Sequence, residues 1–149
     1  MKSRKIITVF SVGVILLFMQ FNVSAMRPDH PHYLHALADL RAARWMIEHR
    51  PGNWIQTIDE IEAVKRIDEA INEIKRAAID DGKDITDHVG TDERPDHMGR
   101  LRNSVEFLKK AREDVNKDED NGFAQGLQRR AIVHITEAIR LTKRAIRSR

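Results

Sequence analysis

The chain has 149 residues, of which 41% are hydrophobic, 33% charged and 5% aromatic, with no cysteine and a formal net charge of +3. The missing cysteine excludes disulfides, Cys-ligated zinc, iron–sulfur clusters, covalently attached haem, a lipoprotein anchor and a cysteine nucleophile. Three of the 26 basic and none of the 23 acidic residues fall within the first 25, so the remainder balances at 23 of each and lacks the basic excess that favours nucleic acid.

Lys2, Arg4 and Lys5 precede an apolar run from Ile6 to Phe21, and Val23 and Ala25 flank a cleavage point. That is the pattern of a secretory signal peptide over residues 1–25. The run falls short of the roughly 20 residues that span a bilayer comfortably, so cleavage is expected, leaving no stable membrane span. An uncleaved anchor is the alternative. Residues 26–149 then form a single domain, exported to the periplasm or the cell exterior.

Strand signals are nearly absent, and Ala, Glu, Lys, Arg and Ile recur at helical spacing, which predicts an all-α fold. The first helix is expected over about 31–50, from Pro31 to the stop at Arg50, Pro51 and Gly52. Tyr33, Ala36, Leu37, Leu40, Ala43 and Ile47 form its core arc. His32, His35 and Asp39 line one flank, and Arg41, Arg44 and Glu48 the other, with Leu34 and Trp45 beyond. So mixed a helix implies that more than one face is covered.

The second helix, about 57–81, carries Thr57 and Glu60 as a capping box, then Ile61, Val64, Ile67, Ile71, Ile74 and Ala78 as its apolar repeat, and ends at Gly82. Trp54 and Ile55 just upstream are expected to plug the bundle end. Residues 80–97 read as a long connection, too long for a minimal turn. The third helix, about 96–116, has Leu101, Val105, Leu108, Ala111 and Val115 as its seam. Lys117 to Asn121 read as a solvated acidic turn, with Asn121 capping the last helix. That helix, about 123–147, turns Leu127, Ala131, Ile135, Ala138, Thr142 and Ala145 inward, with His134 inside the arc. Together these segments predict an antiparallel up-down four-helix bundle.

His32, His35 and Asp39 share a helix surface at a spacing that suits Zn, Ni, Cu or Fe, but one helix supplies only part of a ligand set. His134 or the Asp/His connection would have to complete it. The plainer reading is a polar face on which Asp39 holds His35. His134 reads first as a buried structural histidine, and alternatively as a ligand of b-type haem opposite Met46 or His35. Asp80, Asp81, Asp84, Asp87, His88, Asp92, Asp96 and His97 form either a cation cluster or a solvated connection, and their spacing does not fit an EF-hand. Arg41, Arg44, Arg129 and Arg130 suit an anionic ligand, or bridges to acidic residues such as Glu60, Asp68 and Glu106. No Glu-x-x-His pair, nucleophile elbow, phosphate loop or zincin motif occurs.

The stretch HPHYLHALADLRAARW from His30 to Trp45, followed by IKRAAIDDGKD and later HITEAI, resembles a group of small exported bacterial helical-bundle proteins without assigned function. The resemblance covers nearly all of residues 26–149 and implies export and a helical bundle. It brings no catalytic residues. The expected function is binding or assembly with a protein or small ligand. The alternative is a metal- or haem-binding bundle using His32, His35, Asp39 and His134.

Overall fold

A computed structural model describes residues 32–49, 54–80, 82, 85 and 97–149, the side chains of residues 97 and 98 excepted. Expectations for the signal segment, Pro31, the Arg50 to Gly52 stop and most of the 81–96 connection lie outside the described residues. Four helices are present: α1 (Tyr33–Glu48), α2 (Ile58–Asp80), α3 (His97–Val115) and α4 (Gly122–Arg147). Among the described residues there is no strand, and no helix is long and apolar enough to cross a membrane.

The helix ends follow from local chemistry. Glu60 N–H donates to Thr57 Oγ1 at 3.2 Å while Thr57 N–H donates to Glu60 Oε2 at 2.9 Å, closing the capping box and starting α2. Gly82 adopts φ +68°, a conformation a glycine takes without strain, and its N–H donates to Ile79 O at 2.9 Å. Asn121 Oδ1 accepts from Phe123 N–H at 2.9 Å and Ala124 N–H at 3.4 Å, so α4 begins one residue earlier than its apolar pattern.

α1 packs on α2 and α3, and α4 packs on α2 and α3; no contact joins α1 to α4 or α2 to α3 among the described residues. Around the bundle the helices therefore follow the order α1, α2, α4, α3. The double coverage of α1 explains its mixed face, since nine of its 16 residues are buried. Alanines recur every seven residues on both members of the most extensive pair: Ala63, Ala70 and Ala77 on α2, and Ala124, Ala131, Ala138 and Ala145 on α4, all fully buried. Small side chains at that spacing let two backbones approach closely.

One end of the bundle joins His32 N–H to Asp114 O at 3.1 Å, and Asn121 Nδ2 to Asp80 Oδ2 at 2.6 Å. The other joins Gln56 Nε2 to Ile47 O at 3.4 Å, Arg100 Nη1 to His49 O at 2.5 Å, and Arg144 to Asp59. Trp54 and Ile55 do not plug this end. Ile55 is 84% exposed, and Trp54 lies under the Arg149 guanidinium, 4.7 Å from the ring centroid. Ile61 is exposed too, because α2 turns its alanine stripe inward together with Ile67, Ile71 and Ile74.

Candidate functional site

The histidine stripe of α1 faces α3. Asp114 Oδ1 stands 3.4 Å from His32 Nδ1, and Lys117 Nζ stands closer, at 2.6 Å. An ammonium has only protons to offer, so at that distance Nδ1 is the acceptor and the His32 contact is to lysine before aspartate. The His32 and His35 rings meet edge to face, 5.3 Å between centroids. Burial raises the Asp39 carboxyl above the usual aspartate range; Lys110 and His35 oppose the shift, and Asp114 adds to it. The stripe is thus a polar set packed along the α1–α3 seam.

His134 belongs to a different seam. Its Nδ1 lies 3.0 Å from Glu69 Oε2 on α2, and the same carboxylate accepts from Arg66 Nη1 at 2.7 Å. The side chain is 23% exposed, which corrects the expectation of a core histidine: Ala131, Ile135 and Ala138 take the inward direction and leave His134 on the rim. There, with Arg66, Ile132, Val133, Thr136 and Glu137, it lines an open groove of about 490 Å³. Because α1 and α4 make no contact, His32, His35 and Asp39 are not brought together with His134.

Met46 is equally remote from His134. It is buried beside Asn103, Phe107 and Lys110 of α3, so the structure does not set it opposite the α4 histidine. Among the described residues no group of three or more His, Cys, Asp or Glu is arranged to hold a metal ion. Of the connection cluster, Asp81, Asp84, Asp87, His88, Asp92, Asp96 and the His97 side chain lie outside the described residues.

Arg44 and Arg130 bridge helices. Arg44 Nε donates to Asp68 Oδ1 at 2.7 Å and its Nη1 reaches Glu48, while Arg41 Nη2 donates to Ile85 O at 3.0 Å. Arg130 forks onto Glu73 at 3.0 and 2.9 Å and holds that carboxyl below the usual range. Glu60, fully buried, serves both its capping box and Arg149, whose Nη2 is 3.3 Å from Oε2.

The acidic turn after α3 is not merely solvated. Glu119 is buried, accepting from Tyr33 O–H at 2.6 Å and from Asn121 N–H at 3.0 Å, and Gln128 Nε2 donates to Val115 O and Lys117 O at 2.5 and 2.6 Å. Sequence reasoning missed this tie because Tyr33 and Glu119 are 86 residues apart.

It also missed the outward surface of α2. Ile58 is 79% exposed and Ile79 59%, with Ile61 and the preceding Trp54 and Ile55 open as well. Most of the large exposed apolar side chains among the described residues lie on or just before this helix, the others being Phe123 and Val133. The signal for them was present as apolar residues outside the inward arc.

Comparison with known proteins finds no matching family model, no similar curated protein and no similar solved structure.

Proposed function

We propose that this chain is an exported four-helix bundle that acts by binding or assembly, with no chemistry of its own. The observation that carries the reading is the exposed apolar group Ile55, Ile58 and Ile61 around the start of α2 on an otherwise well-filled bundle. Exposed apolar surface of this kind marks interaction sites more often than catalytic ones. The engagement of His32 with Lys117 and Asp114, and of His134 with Glu69, agrees with structural roles for these side chains.

Export is supported by the basic start, the short apolar run and the small residues around Ala25, and by the resemblance of the His30 to Trp45 stretch to exported helical bundles. We further infer that helices adjacent in space run antiparallel. The start of α1 meets the end of α3, the end of α1 meets the start of α2, and the end of α4 meets the start of α2. On that reading α2 and α3 run in the same direction on opposite corners, giving an up, down, down, up order in place of the simple up-down alternation expected from the sequence.

The test is metal analysis and an absorption spectrum of the protein purified from its own compartment. The expected result is neither stoichiometric metal nor a Soret band. Either one would overturn the reading in favour of a metal- or haem-binding bundle.

A further inference from the structure

We propose that one end of the bundle, where residues 54–61 meet the last turns of α4, docks on an anionic lipid surface. The two parts are tied together. The Arg149 guanidinium lies 4.7 Å from the Trp54 ring centroid and donates from Nη2 to Ile55 O at 3.0 Å, and Arg144 Nε donates to Asp59 Oδ2 at 2.7 Å. Gln56 to Ile47 O and Arg100 to His49 O bring the end of α1 and the start of α3 to the same place.

Two properties coincide there. Trp54, Ile55, Ile58 and Ile61 are exposed, Ile55 and Ile58 over most of their surface. Such side chains project into solvent, as those that enter a soft layer do and those that line a peptide groove do not. From Arg140 to Arg149 the chain carries five basic side chains and no acidic one. Arg144 and Arg149 pair with Asp59 and Glu60, the two acids of residues 54–61, while Lys143 and Arg147 on the same turns are exposed. The uncompensated charge beside the apolar group is therefore positive. Apolar side chains with a flanking tryptophan enter a headgroup layer by about 5–10 Å, and neighbouring cations meet its phosphates. Ile61, about 5 Å along the helix axis from Ile58, lies within that depth.

The opposite end supplies the contrast. Ile79 and Phe123 are exposed there, near the Asn121 to Asp80 contact, but residues 113–120 set five acids against Lys117 alone. An anionic surface attracts the first end and repels the second, which fixes the orientation of the bundle on it. Beyond residue 25 the charges balance at 23 of each sign, so the attraction comes from this separation of charge rather than from an overall excess.

The proposal rests on the binding reading above and names the partner. Co-sedimentation of the exported protein with vesicles of phosphatidylcholine containing phosphatidylglycerol, against vesicles of phosphatidylcholine alone, tests it. The expected result is binding to the anionic vesicles, weakened by salt, with a blue shift of tryptophan emission that Trp54→Phe removes. Lys143→Gln together with Arg147→Gln should lower partitioning about thirtyfold, and Ile55→Ser together with Ile58→Ser about tenfold or more. Ile79→Ser together with Phe123→Ser should leave it unchanged, and all these exposed substitutions should preserve the helical circular dichroism. Equal binding to both kinds of vesicle, or as large a loss from the Ile79 and Phe123 pair, would overturn the proposal. Absence of vesicle binding would overturn it as well, and retention of the chain by polyglutamate would then assign the basic end to an acidic protein instead. Metal analysis of the same sample keeps the two readings apart: no vesicle binding and no metal overturns only the lipid partner, and a stoichiometric metal overturns the function.

Discussion

The phenol of Tyr33 donates to Oε2 of Glu119 across 2.6 Å in a contact closed to solvent, joining the first turn of α1 to the turn between α3 and α4. Tyr33→Phe keeps the ring and removes the donor, leaving a buried carboxylate oxygen short of a partner. Denaturant unfolding should show a loss of about 1–3 kcal/mol. An unchanged midpoint would mean that water reaches Glu119 freely.

Ala70 sits in the seven-residue alanine stripe of α2 and is fully buried where α2 packs on α4. Ala70→Leu forces the pair apart and should cost about 1–3 kcal/mol by thermal or chemical unfolding. The opposite outcome, a stabilised protein, would require an unfilled space at this seam.

Acid should act on the carboxyls in two directions. Arg130 beside Glu73, Arg140 beside Glu137 and Arg144 beside Asp59 hold those carboxyls below their ordinary range. Their contribution is complete above the unfolded-state values and is lost as pH falls through the depressed folded ones. Burial raises Asp39, so its contribution is complete below its unfolded value and is lost as pH rises through the folded one. Glu73→Gln should therefore destabilise near neutral pH and Asp39→Asn should stabilise. Both differences should shrink towards zero in acid below the usual carboxylate range, at about pH 3 or under, as unfolding curves at the two pH values will show.

His134 lies on a rim against Glu69 and not in the core, so His134→Ala should cost only about 0–1 kcal/mol in a thermal melt. A loss above about 3 kcal/mol would restore the buried-histidine reading.

The four helices were legible because the capping box at Thr57 and Glu60, the Asn121 cap and the stop at Gly82 are local signals that tertiary contacts do not override. The rotation of α2 was harder to read. Hydropathy favoured Ile61, whereas the fold turns Ala63, Ala70 and Ala77 inward, since close helix packing rewards small size as much as apolarity. The partners of the candidate site needed helix register, which spacing within one helix does not contain. Arg44 with Asp68 was foreseeable as one of several pairings, but His32 with Lys117 and His134 with Glu69 depend on which helices are neighbours. Spacing put His32, His35 and Asp39 on one surface; only the arrangement α1, α2, α4, α3 sets that surface apart from His134.

Native mass spectrometry of the protein isolated from its own compartment tests the central claim most directly, because one spectrum reads the mature start, the bound mass and the assembly. The account predicts a chain beginning at Met26 and carrying neither metal nor haem. A chain carrying the mass of a bound metal ion or haem would contradict it.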